Sequence, residues 1–173
     1  MKSLSLITAL LALPLASPAF AAAHSMNSMT ASVSSGGGGG IAGTVTLTPT
    51  ASGETMVDID LTGVPAGEHA IHIHTTGDCS APDFTSAGGH LAGDKSHGVM
   101  DAAGPHPGDL PNIVVSESGV FKATHFNALL TPDLLDDADG AAFIMHVGTD
   151  DYTSQPAGDA GDRIACGVFA PAS

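Results

Sequence analysis

The chain has 173 residues, four Lys and Arg against 18 Asp and Glu, and a formal charge of −14 at pH 7. A chain this acidic has no basic patch to neutralise phosphates or meet anionic lipid, which argues against nucleic-acid binding and makes its charge a source of solubility. The length suits one domain with a real core.

Met1-Lys2-Ser3, an apolar stretch from Leu4 to about Pro18 and the small residues up to Ala23 form the three-part pattern of a secretory signal peptide over residues 1–23. The apolar run is too short for a membrane span, and Pro14 and Pro18 interrupt it. Cleavage is expected after Ala21 or Ala23, and no second apolar segment follows, so no membrane association is expected once the signal is removed. Residues 24–40 are rich in Ser, Met and Gly, close on Gly36 to Gly40, and read as a flexible leader. His24, Met26 and Met29 give that leader a weak copper-binding character.

From Ile41 the pattern changes to short β-branched runs. Val45 to Thr48 and Met56 to Leu61 alternate with period two, and a turn-rich segment lies between them. Further strands are expected at Ala70 to His74, Asn112 to Ser116, Val120 to Phe126, Ala142 to Val147 and Ile164 to Phe169, with a short helical turn at most near Pro132 to Asp137. Many short strands with Gly and Pro punctuation predict an all-β antiparallel sandwich or barrel over residues 41–173. Two connections, 75–111 and 148–163, are too long for hairpins, and long loops in a compact domain are usually functional. The cysteines Cys79 and Cys166 allow a single intramolecular pairing; export favours a disulfide over thiolate metal ligation, for which no close Cys pair is present.

The chemistry concentrates in His72, His74, His90, His97, His106, Asp109 and His146. On a strand, His72 and His74 project to one face while Ile73 enters the core. His146 ends an apolar strand that can present a third imidazole to the same ion, and such a set suits copper or zinc. Within the first long loop, His90, His97, His106 and Asp109 make a closed set of the kind that holds zinc, with interspersed glycines permitting the turns. A loop of this kind has little else to hold it, so metal binding is expected to contribute folding energy.

From Ile41 to Phe169 the chain resembles the bacterial, exported copper/zinc superoxide dismutases. The resemblance rests on residues 67–74 (GEHAIHIH), Gly77-Asp78-Cys79, Ser86 to His90, His97-Gly98, Gly108 to Asn112, His146 with Asp150-Asp151, and Gly161 to Gly167. It implies an eight-stranded antiparallel Greek-key β-barrel with two long functional loops, a periplasmic location, and one copper and one zinc ion per subunit. By position, His72, His74, His90 and His146 are then copper ligands, and His90, His97, His106 and Asp109 zinc ligands, with His90 bridging the two ions. The resemblance further implies that Asp150 hydrogen-bonds His72 and His97, that Cys79 and Cys166 form the family disulfide, and that His69 is structural. His24 and His125 match nothing in the family.

The implied reaction is the conversion of superoxide to oxygen and hydrogen peroxide by alternate reduction and oxidation of copper. His90 and Arg163 are the residues expected to take part, His90 as a proton carrier and Arg163 as a guide for the anionic substrate. The alternative is a periplasmic copper- and zinc-binding protein without turnover. Nothing in the sequence decides between a monomer and a homodimer. Two departures stand out: Leu91-Ala92-Gly93 follows His90 with an interval to His97 one residue shorter than in the family, and residues 148–162 lack lysine.

Overall fold

The computed structural model describes residues 28–172 apart from Asp136, so the expected signal peptide, His24 and Met26 lie outside the described residues. Among the described residues nine antiparallel strands make the fold: β1 (Met29–Ser35), β2 (Ala42–Pro49), β3 (Thr55–Thr62), β4 (Gly67–His69), β5 (Ile71–His74), β6 (Ile113–Val115), β7 (Phe121–Asn127), β8 (Ala142–His146) and β9 (Arg163–Pro171). Seven of them form one sheet in the order β5-β8-β9-β1-β2-β3-β7, and β4 pairs with β6. Only Ala70 separates β4 from β5, so the two are one bent strand and the count becomes the expected eight.

That bend closes the barrel. The β4 half carries β6, and β6 lies beside β7, the far edge of the seven-stranded sheet. Around the barrel, β7, β6 and the bent strand lie in reverse chain order between β3 and β8, so the chain skips two strands on leaving β3 and again on leaving β7. This is a Greek key. No α-helix occurs among the described residues; short 3-10 turns lie at Gly36–Gly38, Thr85–Ala87 and Pro132–Leu134.

The core follows from period-two alternation. Val45 and Leu47 of β2, Val57, Ile59 and Leu61 of β3, Ile71 and Ile73 of β5, and Phe143 and Met145 of β8 all point inward and are buried. Each such side chain contributes roughly 1.5–3 kcal/mol by leaving water, whereas the exposed Lys122–Asp60 pair at 2.6 Å is the kind that contributes ~1 kcal/mol or less. The strand β8 is buried on both faces. Its Ala142 and Ile144 pack outside the barrel with Phe84, Ala87 and Cys166, forming a second small core beneath the first long loop.

The expectation of a flexible leader over 24–40 is corrected for the residues described. Met29–Ser35 is a strand inside the sheet, hydrogen-bonded to β2 on one edge and β9 on the other. Its polar composition hides the alternation that matters: Ala31 and Val33 are buried in the core, at 0% and 3% exposure, and half-buried Met29 packs against it on the same face. Two satisfied edges supply what hydrophobicity does not. The domain therefore starts before Ile41, and only the glycine turn from Gly36 to Gly40 remains an exposed connection.

Candidate metal centre

Both long loops converge on β5. The residues of β5 are buried on both faces: Ile71 and Ile73 fill the barrel while His72 and His74 lie under the loops at 0% and 1% exposure. One edge of β5 is taken by β8. The first loop is stitched to the other edge, where the Ile73 amide donates to Gly108 O and the Leu91 amide donates to Ile73 O, both at 2.8 Å, and the Gly108 amide donates to Leu91 O at 2.9 Å. Gly108 permits this approach, since a Cβ there would collide with Ile73 O. The stitching sets His74 opposite His90 and His72 opposite Asp109. The expectation that the loop has little besides metal to hold it is thus corrected: backbone bonds and buried Leu91 hold it as well. In the interval after His90, Gly93 makes a left-handed turn.

The first group is His72, His74, His90 and His146, whose ligand atoms all lie within 4.8 Å of one another. In each ring one nitrogen is spent on a protein acceptor. His72 Nε2 donates to Asp150 Oδ2, His74 Nδ1 to Gly88 O and His146 Nδ1 to Gly161 O at 2.9, 2.9 and 3.0 Å, while His90 Nδ1 lies 3.0 Å from Asp109 Oδ1. The other nitrogen of each ring, Nδ1 of His72 and Nε2 of the rest, is buried without any hydrogen-bond partner. An unpaired buried polar atom costs about 1–3 kcal/mol, so four in one place mark a group built for an ion. Burial holds His72 down to about 4 and His74 to about 2, and it also lowers His90 and His146. All four are neutral at pH 7 and free to ligate.

The second group is His90, His97, His106 and Asp109, again with ligand atoms within 4.8 Å. Three Nδ1 atoms, of His90, His97 and His106, lie 3.0, 3.1 and 3.1 Å from Asp109 Oδ1. The ligands of a tetrahedral zinc ion at about 2.0–2.1 Å stand roughly 3.3 Å apart, close to this spacing. His97 Nε2 donates to Asp150 Oδ1 at 2.9 Å. With Nε2 as the donor, Nδ1 of the same ring faces a carboxylate oxygen, an arrangement that a cation between them satisfies. Burial pushes the Asp109 carboxyl up, but hydrogen bonds from His90 and from the Gly98 and His106 amides outweigh it and hold it well below the usual range.

Asp150 joins the two groups. It accepts from His72 and His97 and from the Tyr152 amide at 2.6 Å. Burial raises its pKa, and these bonds more than offset that, leaving it at about 2. Arg163 starts β9 as the cross-strand partner of His146, where a register irregularity places it. Its Nη1 donates to Phe84 O at 2.6 Å and its Nη2 to Gly88 O at 2.7 Å. Cys79 and Cys166 are disulfide-bonded with Cα atoms 5.9 Å apart, and so tie the first loop to β9. A cleft of about 360 Å3 lined by His146, Gln155, Asp159 and Gly161 reaches the first group from solvent. A neighbouring one contains Asp83, Gly161, Asp162 and Arg163.

The structure brings together every site residue named from the sequence. His69 stays apart, its Nδ1 3.0 Å from His146 O and its Nε2 3.0 Å from Pro65 O. His125 belongs to neither group and lies on β7 beside an apolar groove with Phe126 and Leu129. Sequence reasoning gave no role to Asn112, Tyr152, Gln155 or Gly158. Asn112 holds the Asp150 backbone at both its amide and its carbonyl, at 2.9 and 2.8 Å, and Tyr152 Oη accepts the Asn112 amide at 2.8 Å. Such contacts span tens of residues, and no local pattern signals them.

The family model described as Copper/zinc superoxide dismutase (SODC) matches residues 41–169. A copper-zinc superoxide dismutase of Caulobacter vibrioides is 40% identical over 142 residues, covering 77% of this chain and 80% of the relative. The copper-zinc superoxide dismutase of Escherichia coli is 40% identical over 182 aligned positions, covering 98% of this chain and 99% of its own. Among solved structures, a SOD-like protein from Bacillus subtilis superposes with a TM-score of 0.72 at 32% identity, covering 80% of this chain and 96% of its own.

Proposed function

The chain belongs to the copper/zinc superoxide dismutase family, and from that premise we propose which of its residues carry the reaction. The enzyme converts superoxide to oxygen and hydrogen peroxide with copper and zinc as cofactors. Copper would be held by His72, His74, His90 and His146 through the ring nitrogens left unpaired in the first group, and zinc by His90, His97, His106 and Asp109 of the second. The single observation that carries this reading is the set of four orphaned ring nitrogens converging beside a second group that shares His90. When bound, copper supplies one-electron chemistry, while zinc, with a filled d shell, supplies charge and orientation alone.

The residues do the rest. Asp150 fixes the tautomers of His72 and His97, and Gly88 O and Gly161 O fix those of His74 and His146, so each ring presents a lone pair to its ion. His90 turns Nε2 to the first group and Nδ1 to the second, so Nε2 is the atom able to take up a proton and return it to the reduced substrate. Arg163, anchored by two carbonyls and paired across the strands with His146, offers its remaining N–H groups and its charge to the incoming anion. All ligands come from one chain, so the site is complete within one subunit.

Residues 1–23 act as an export signal, and the protein works in the periplasm, where the Cys79–Cys166 disulfide persists. Metal analysis of single variants tests the ligand assignment. His74→Ala is expected to lose copper and keep zinc, His106→Ala to lose zinc and keep copper, and His90→Ala to weaken both. Retention of both metals by His74→Ala and His106→Ala would show that the ligands lie elsewhere.

A further inference from the structure

We propose that Gln155, a residue of the second long loop with no ligand atom in either group, is a positioning residue for the zinc ligand His97. Its side-chain amide binds the His97 backbone at two points: the His97 amide donates to Gln155 Oε1 at 2.9 Å, and Gln155 Nε2 donates to His97 O at 2.9 Å. Nε2 also reaches Thr153 O at 3.2 Å, which steadies the amide against its own loop. A primary amide presents one donor and one acceptor in a plane, so this pair copies the ladder contact of a β-strand and sets the height and direction of the His97 main chain.

The device matters because of where His97 stands. Its ring has no freedom left at either nitrogen, with Nδ1 at Asp109 Oδ1 and Nε2 at Asp150 Oδ1. The side chain is therefore aimed from three directions, and Gln155 supplies the only one of them that acts on the backbone. His97 lies in the stretch between Leu91 and Gly108 that is not stitched to β5, so the strand that fixes His72 and His74 does not fix it. Gln155 itself is exposed and lines the cleft leading to His146. Its contribution to global stability is small, and its effect falls on the geometry of one ligand.

The inference rests on His97 being a zinc ligand, and the experiment separates the two. Zinc affinity is measured by chelator competition, and the ligand field by the absorption of cobalt(II) bound at the same site, for the parent, Gln155→Met, Gln155→Glu and His97→Ala. Gln155→Met keeps the length and removes both hydrogen bonds; it is expected to weaken zinc about tenfold and to shift the cobalt bands, with copper affinity and the melting temperature of the metal-free protein unchanged. Gln155→Glu keeps the acceptor for the His97 amide but loses the donor to His97 O, and should fall between. Zinc affinity within twofold of the parent in Gln155→Met, beside loss of zinc in His97→Ala, overturns the role of Gln155. Equal weakening of copper, zinc and fold in Gln155→Met also overturns it, as the mark of a general structural role. Retention of zinc by His97→Ala instead overturns the ligand assignment.

Discussion

His74 and Arg163 meet at one oxygen. The carbonyl of Gly88 accepts from His74 Nδ1 at 2.9 Å and from Arg163 Nη2 at 2.7 Å, so one atom fixes the tautomer of a copper-site imidazole and the place of the cation beside it. The carbonyl can do both because Gly88 itself has φ of +74°, and because a Cβ there would crowd Thr75 and Thr76.

Arg163→Ala removes the charge and leaves Gly88 O with His74 as its remaining partner. In so acidic a protein the long-range field repels an anion, and a focused local charge has to oppose it. The rate with superoxide is expected to fall about tenfold and to lose most of its dependence on ionic strength. Stopped-flow or pulse-radiolysis rates across a salt series check this; a rate equal to the parent's at every salt concentration contradicts it.

Gly158 stands against the Asp150 carboxylate and the His97 ring, in a left-handed conformation with φ of +70°. A Cβ at this position overlaps Asp150 Oδ1 far inside van der Waals contact and meets His97 Nε2 at 2.6 Å, so Gly158→Ala must displace the residue that links the two groups. The expected result is a loss of 10–100-fold in affinity for both metals. Backbone strain of roughly 1–2 kcal/mol adds a drop of several degrees in the melting temperature of the metal-free protein. Full metal content with an unchanged Tm would show that the loop yields without moving Asp150.

Some of this was legible in the residues alone. His72 and His74 could be placed on one face because a strand has period two, and Ile73 could be sent to the core by the same rule. The grouping of His90 with His97, His106 and Asp109 came from loop composition and resemblance, since no period governs a loop. How the loop is held was not legible: Ile73 meets Leu91 and Gly108 through backbone atoms, which carry no sequence signature. Gln155 and Asn112 escaped for the same reason, each gripping main chain 58 and 38 residues away. The strand β1 was misread because seven residues of MTASVSS look like linker, and only the sheet shows that Ala31 and Val33 suffice as its buried face.

The disulfide links the loop that carries Gly88 to the strand that carries Arg163, across 87 residues of chain. Closing a loop of that length restrains the unfolded chain by about 2–4 kcal/mol. Reduction is expected to lower the Tm by roughly 5–15 °C. It should also lower the rate with superoxide before the protein unfolds, because Phe84 and Ala87 pack against Cys166 and present the carbonyl and turn that anchor Arg163. Calorimetry and activity before and after reduction, with metals retained, decide it; an unchanged rate in the folded, reduced protein would separate the disulfide from Arg163.

Acid should act on the metal-free protein in two steps. Burial depresses His72 to about 4 and His74 to about 2, from 6.5 in the unfolded chain. Below 6.5 the unfolded state binds protons that the folded state refuses, so the contribution of these neutral rings is fully present above pH 6.5 and is lost as pH falls from there towards 4. Asp150, held at about 2 against an ordinary 3.8, loses its contribution lower, as pH falls from about 4 towards 2. The urea midpoint of metal-free protein is therefore expected to be flat between pH 7 and 8 and to fall steadily from pH 6.5 to 4, before the carboxylates titrate. Loading the metals should move the first loss to lower pH, since protons must then compete with an ion for the same lone pairs. A midpoint unchanged between pH 7 and pH 4.5 would mean that the four orphaned nitrogens are open to water when the metals are gone, and that metal binding itself closes the site.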